Sequence, residues 1–314
     1  MDVVTIGESM VLFEPHEEGL IQYTENFKKR VGGAESNMAI GLSKLGHTVT
    51  WISRLGNDPF GHYIHSFIQG EGVKVKAVFD QDAPTGVFFK QTGGYSQTSI
   101  YYYRKNSAAS LLNSSDIAEE DIANARYLHI TGITPALSES CFATILYAIK
   151  VAKKHNVTIV FDPNIRTKLW KSIVYNPILL GILKQVDIFL PGEDELVMLF
   201  PNQPVEDAIA EILQFGVQTI VVKKGAAGAT YYTANEQGDV SGYPNNHVVD
   251  PVGAGDGFAA GLLSGLLDGL TIPASIDRGN RIGSMMTMVR GDCVGLPTRE
   301  QLENFQASTS DVHR

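Results

Sequence analysis

Cysteine is nearly absent: Cys141 and Cys293 are the only two in 314 residues, and neither belongs to a CxxC pair. That excludes a disulfide framework and a thiolate zinc site, and both thiols are expected in the core. An excess of positive charge is lacking as well. With 25 Lys and Arg against 34 Asp and Glu, the net charge is −9, which argues against non-specific binding to nucleic acid or to an anionic membrane. An anionic ligand must then be met by local positive groups. No apolar run reaches about 18 residues, the length that marks a spanning helix. The N-terminus MDVVTIGESM begins with a β-branched strand and carries no basic n-region. The expected location is cytoplasmic, with no membrane and no nucleic-acid partner. Low-complexity tracts, repeats and linkers rich in proline, glycine or serine are missing too, so residues 1–314 read as one domain.

Several chemistries with sharp signatures are also missing. GxxxxGK followed by Ser or Thr does not occur, nor do the protein-kinase catalytic-loop and DFG patterns, which excludes a Walker-type NTPase and a protein kinase. HExxH is absent. His62 and His65 stand at i,i+3, but no third ligand accompanies them, so they read as a solvated helix face. The glycines around Gly253 spell GxGxG and lie near the C-terminus, not after the first strand, which argues against a nicotinamide enzyme.

What is present is a rhythm. Residues 3–6 read as a buried strand and 10–13 as a second, followed by a polar, irregular stretch over 14–29. VGGAESNMAIGLSKLG then gives a glycine pair and a helix with Met38, Leu42 and Leu45 on one face, stopped at Gly46. Residues 48–52 form the next strand. Three strands without intervening helices are expected at 73–79, 86–91 and 99–103, an antiparallel block. After it, strands at 127–130, 157–161, 187–190 and 219–222 alternate with helices near 138–155, 192–200 and 205–215. Such alternation predicts a doubly wound, mostly parallel α/β sheet. A small β-sheet lid is expected from about 10–30 and 73–104. The tail after Glu303 is expected to fray.

The stretch VVDPVGAGDGFAAGLLSGLLDG, residues 248–269, predicts strand, glycine turn and helix. Gly253 and Gly255 can take positive φ, letting the N–H groups around Ala254 converge at a helix N-terminus and bind an anion. Phe258, Leu262 and Leu266 recur at helical spacing beside small residues, so the helix can pack closely on a sheet. Asp256 inside an anion hole suits a base that orients a hydroxyl late in phosphoryl transfer; the plainer alternative is a helix cap. The helix dipole should keep it ionised, with no raised pKa.

Two blocks carry a resemblance. VGGAESNMAIGLSKLG with ISRLGNDPFG, and DPVGAGDGFAAGLL, resemble the two signatures of the ribokinase (PfkB) family of carbohydrate kinases, and the likeness runs from TIGE to GLPT. The resemblance implies a ribokinase-like fold and ATP-dependent phosphorylation of a sugar hydroxyl. Asp256 would be the catalytic base, and the amides of Gly253, Ala254, Gly255 and Asp256 the anion hole. It further places Lys223, Gly225 and Gly228 by the nucleotide phosphates, where a plain hairpin turn is the alternative. Asn280 would lie near adenine, or simply be an exposed polar residue. LPGEDEL resembles the family's NxxE element, in which the glutamate helps place Mg2+ through water, so Glu195 is the implied metal partner. Here Gly192 stands at the asparagine position. Dimers formed through the lid are also implied.

The substrate is read from local residues. GGAESN and YYRKNSAAS resemble the sugar-acid branch of the family more than the fructokinase branch, in which proline is more common at the position of Glu35. Tyr102 and Arg104 are i,i+2 on a strand and face one side. Asp162, Asn164 and Arg166 alternate in a segment leaving a strand, with Trp170 beside them at the mouth of the site; a solvated loop is the alternative. Two guanidiniums and a phenol in an acidic protein suit a carboxylate; alternatively the arginines pair with protein acids or with ATP phosphates. The expected substrate is 2-keto-3-deoxygluconate, phosphorylated on its terminal hydroxyl, with Gly33 and Asn37 on the sugar backbone. Fructose or another sugar is the alternative.

Overall fold

The computed structural model describes residues 1–17, 19–91, 99–170, 175–245 and 247–305. The expected fraying of the tail concerns residues that, from 306 on, lie outside this set, as do 92–98 of the expected lid. The strands in chain order are β1 (Val3–Ile6), β2 (Met10–Pro15), β3 (Phe27–Gly32), β4 (Val49–Gly56), β5 (Lys74–Asp80), β6 (Val87–Gln91), β7 (Ser99–Tyr103), β8 (Tyr127–Thr131), β9 (Thr158–Asp162), β10 (Ile188–Phe189), β11 (Thr219–Lys223), β12 (Gly228–Thr233) and β13 (Gln237–Ser241).

One sheet runs in the order β13-β12-β11-β10-β9-β8-β1-β4-β5. From β5 across to β11 every pairing is parallel, and β12 and β13 close the far edge antiparallel. Side chains alternate between the two faces, as the two-residue period of a strand requires. Val4 and Ile6 enter one core with Ile145 and Ile149 of helix Glu139–Lys154, while Val3 enters the other with Met38 and Leu42 of helix Ala34–Lys44. From β1 the chain first builds outward through β4 to β5, then returns to β8 on the other side of β1. The order reverses there, and ligands in such sheets bind beyond the carboxyl ends of the strands at that reversal.

The second sheet has the order β3-β2-β6-β7, and its Met10, Phe88, Ile100 and Tyr102 wall a cavity with Asp162 and Lys223 at the carboxyl ends of β9 and β11. Its composition differs from the expected lid in one element. β5 is not part of it: Lys74–Asp80 pairs parallel with β4 as the edge of the large sheet. The sequence KVKAVFD is half polar because an edge strand is covered on one side only, and that pattern is the same for a lid strand. The stretch read as irregular over 14–29 also ends in strand, since β3 starts at Phe27.

Helix Ala254–Leu267 is buried around nearly its whole circumference, as an apolar helix inside a large core should be. It shares a core with Val160 and Val221 of the sheet, and its closest backbone approach is to another helix. A Cβ on Gly261 would lie 2.8 Å from Gly279 Cα, and one on Gly265 would lie 2.6 Å from Ser275 Cα. Glycine at every fourth position thus lets helix Ile272–Met286 approach backbone to backbone. Cys141 and Cys293 are buried free thiols whose pKa values burial pushes up to about 11 and about 12. They stay protonated and unreactive at neutral pH. His62 stacks on Phe79 and His65 meets the same ring tilted, with centroids 4.8 and 5.6 Å away, and no metal-ligating cluster of His, Cys, Asp or Glu occurs among the described residues.

Candidate active site

Gly253 has φ +85°, and an added Cβ would sit 2.4 Å from the Asp292 carbonyl oxygen, so only glycine fits this turn. It is the N-cap of helix Ala254–Leu267 and has no side chain to cap with. The N–H groups of Gly255 and Asp256 therefore lack intrahelical acceptors and point outward as donors. Gly255, expected to share the positive φ, is instead the second helical residue and lies outside that region. Its glycine matters for space, because a Cβ there meets only Lys223 Nζ, at 3.9 Å, and otherwise projects into the cavity.

Two cavities meet at this point. A polar one of about 290 Å³ lies under the lid, and a mostly apolar one of about 390 Å³ lies beside helix Ile272–Met286. Lys223, Pro251 and Gly255 border both. The polar cavity brings together Gly33, Asn37, Tyr102, Arg104, Arg166, Glu195, Gly253 and Asp256. Ala254, Gly225, Gly228 and Asn280 line the apolar one. Gly225 and Gly228 have φ +56° and +103°, which supplies the tight turn after β11. Asn280 is buried, not exposed, and its amide donates to the carbonyls of Val240 and Ser241.

Asp256 does not cap its helix. Its Oδ2 accepts from Asn37 Nδ2 at 2.8 Å, across the cavity floor. Loss of hydration pushes its carboxyl up to about 7, opposed by Asn37 and Arg166 and reinforced by Asp162 and Asp292. This overturns the expectation that its pKa is not raised: desolvation outweighs the helix N-terminus. The carboxylate still faces the open cavity, so it is placed to titrate near neutrality against whatever binds there. Asn37, expected on the sugar backbone, holds Asp256 by its amide nitrogen, while its Oδ1 is buried without a donor. A hydroxyl of a bound ligand could satisfy that oxygen. Replacing Asn37 by Leu removes a donor that favours the charged form. The acidic limb of kcat/KM should then move to higher pH, by up to about one unit. An unchanged limb in the pH–rate profile would mean that this hydrogen bond does not tune Asp256.

Arg104 is less free than expected. Its Nε donates to Glu8 Oε2 at 2.7 Å and its Nη2 is also paired with that oxygen, while Ser107 holds the other oxygen at 2.6 Å. Glu8 lies just past β1 and is buried, so Arg104 is largely neutralised within the protein. Tyr102 stacks on Phe88 and lies under the Arg104 guanidinium. Arg166 is exposed to the cavity and has no ion-pair partner among the described residues. Asp162, Asn164 and Arg166 all border the cavity, though not by simple alternation: Asn164 has φ +37°, so the segment is bent. Trp170 is buried in the core against Tyr175 and takes no part in the mouth.

Lys223 ends β11 and donates to Asp162 Oδ2 at 2.7 Å. Glu195 accepts from the N–H groups of Ile165 at 2.7 Å and Gly192 at 2.8 Å. Burial and the neighbouring Asp162 raise its pKa. Gly192 offers no side chain, so its share of the site is the backbone N–H that orients Glu195. Of the residues bordering the polar cavity, sequence reasoning missed Glu8 and Asp292. Of these, Glu8 was signalled by an acid immediately after the first buried strand.

The model of the pfkB family of carbohydrate kinases matches residues 1–299. The 2-dehydro-3-deoxygluconokinase of Bacillus subtilis is 38% identical, covering 100% of this chain and 98% of its own. A probable chloroplastic fructokinase-6 of Arabidopsis thaliana is 32% identical over 95% of this chain and 80% of its own. Among solved structures, a putative ribokinase II of E. coli in complex with ATP and Mg2+ superposes with a TM-score of 0.88 at 29% identity. That match covers 96% of this chain and 97% of the other. A whole-length family match, a reversal-point cleft under a β-lid and a glycine turn at a helix N-terminus lead to one assignment: the chain belongs to the PfkB family of carbohydrate kinases.

Proposed function

We propose that this protein uses ATP to phosphorylate the terminal hydroxyl of 2-keto-3-deoxygluconate, giving the 6-phosphate. The observation that carries the reading is the junction of the two cavities: the apolar one suits a nucleobase, the polar one a sugar acid, and Gly255 stands where they meet, with Asp256 next to it on the polar side. The sugar hydroxyl would bind at Asp256, which orients it and accepts its proton as the bond to phosphorus forms. Donors at Gly255 and Asp256 N–H and at Lys223 would meet the charge on the transferring group. Tyr102 and Arg166, with the remaining nitrogen of Arg104, would hold the carboxylate of the sugar acid, and Gly33 keeps the floor of the cavity low. A Cβ on Gly33 would lie 2.5 Å from the Glu8 carbonyl.

The donor set fits Mg2+. Asp162 and Glu195 border the cavity beside Lys223, and Mg2+ typically takes one or two carboxylates, keeping water and phosphate for its other positions. Both Glu195 oxygens already accept a backbone N–H, which favours contact through water. When bound, the ion would neutralise charge on the phosphates.

Location in the cytoplasm and a dimer formed through the lid belong to the same reading. No helix among the described residues is long and apolar enough to cross a membrane. On the lid face away from the cavity Phe13, Phe27, Phe89 and Tyr103 form linked ring contacts; Phe13 is covered by Phe60 of helix Pro59–Gly70, while Tyr103 at the other end is 67% exposed. An aromatic sheet face with open edges calls for a partner of like shape. Sedimentation at micromolar concentration should show a species of twice 34.2 kDa, dissociated by Tyr103→Lys; a monomer throughout would remove the dimer. The substrate is tested by a coupled ATP assay offering 2-keto-3-deoxygluconate, fructose and ribose side by side. Preference for fructose would overturn the sugar acid and keep the kinase.

A further inference from the structure

Lys90 is completely buried, on the face of β6 that also presents Phe88 to the polar cavity. A buried ammonium is costly unless it is paired, so its partners show what it holds. Its Nζ pairs with Asp250 and lies 3.9 Å from Asp292 Oδ1. These two carboxylates sit on the two segments that build the anion-binding turn. Asp250 accepts from the Val252 N–H at 3.2 Å and from the Gly291 N–H at 3.3 Å. The carbonyl of Asp292 is the group packed directly against Gly253. Asp292 Oδ1 has no hydrogen-bond donor among the described residues, leaving Lys90 as its nearest cation.

We propose that Lys90 is a positioning residue for phosphoryl transfer, a role that rests on the kinase reading above. The lid strand that walls the sugar cavity also carries the cation that clamps the turn presenting the Gly255 and Asp256 N–H groups. Through Asp250 and Asp292, one side chain sets the distance between the acceptor's wall and the phosphate's donors. Lys90 itself borders neither cavity, so it acts only through these carboxylates. Misplacement of donors by about 1 Å is enough to cost up to roughly 10²-fold in rate.

Lys90→Met keeps the apolar stem and removes the charge. The double variant Lys90→Met with Asp250→Asn also removes one of the carboxylates left without a cation, and serves if the single variant does not fold. In the folded variant, amides 252–256 should exchange hydrogen faster than in wild type. The kcat should fall about tenfold, with KM for the acceptor changed less than about threefold, the pattern of an interaction made mainly in the transition state. A variant that melts lower but keeps wild-type kcat and wild-type exchange in the turn would make Lys90 a core ion pair only. Failure of the double variant to fold would do the same. Exchange is read without acceptor, so a wild-type protein that phosphorylates no sugar would count against the kinase reading, and the turn measurement would still decide on Lys90.

Discussion

Asp256→Asn should melt at a higher temperature than wild type while losing roughly 10²–10⁴ of kcat. Both effects come from the same burial. The carboxyl that ionises at 3.8 in an unperturbed state is pushed up to about 7 in the folded protein. Between about pH 4 and pH 7 the folded state holds a proton that the unfolded state has released, so stability falls as pH rises through that window. Above pH 7 the carboxylate is charged and the full penalty is present. The ceiling is about 4 kcal/mol at 1.36 kcal/mol per unit, and the true figure is smaller because the group faces an open cavity. Asparagine keeps the shape and the partner Asn37 but carries no charge. Thermal unfolding should therefore separate the two proteins most at about pH 8 and bring them together only at about pH 4 and below. Nucleotide affinity should stay within about threefold, because the turn amides, not the carboxylate, would meet the phosphates. Turnover close to wild type would end the assignment of Asp256 as base, and a melting difference independent of pH would end the desolvation account.

The sequence made the strand-and-helix rhythm and the glycine turn legible because both are local. Periodicity marks β1, β8, β9 and β11, and Gly253 advertises a turn that no other residue can make. What it hid was long-range. Gly253 and Gly255 look alike in the sequence, yet one is required for its φ and the other for the space before it. Lys90 looks like a solvent-facing lysine on a lid strand, and nothing local reveals that Asp250, 160 residues later, takes its charge. Desolvation is likewise a property of the assembled cleft, which is why a helix N-terminus could not predict the ionisation of Asp256. Glu35 illustrates the opposite case. The residue that separates the two branches of the resemblance lies wholly buried, accepting from Thr131 at 2.6 Å and Thr134 at 3.0 Å. Its carboxyl packs against Gly7 and does not border the polar cavity, so it marks the branch without contacting a ligand there.

Arg166→Ala should lower kcat/KM for 2-keto-3-deoxygluconate by about 10–10²-fold while leaving fructose nearly unchanged. Three basic side chains border the polar cavity, and two are already committed: Arg104 to Glu8 and Lys223 to Asp162. Arg166 is the third. With no ion-pair partner among the described residues, it is the charge on which discrimination between an acid and a neutral sugar must rest. A charge-assisted hydrogen bond contributes about 1.5–3 kcal/mol, and each 1.4 kcal/mol is tenfold, which sets the expected loss. Arg166→Lys should recover only part of it, because an ammonium cannot grip both carboxylate oxygens in one plane. The competing role for Arg166 is contact with the transferring phosphate, and it predicts a different pattern: equal losses with every acceptor and a raised KM for ATP. Because Arg166 also lowers the pKa of Asp256, the comparison belongs on the alkaline side of the pH profile, where the base is ionised in both proteins. A loss confined there to the sugar acid assigns Arg166 to the carboxylate; a uniform loss assigns it to phosphate and removes the main physical support for a sugar-acid substrate.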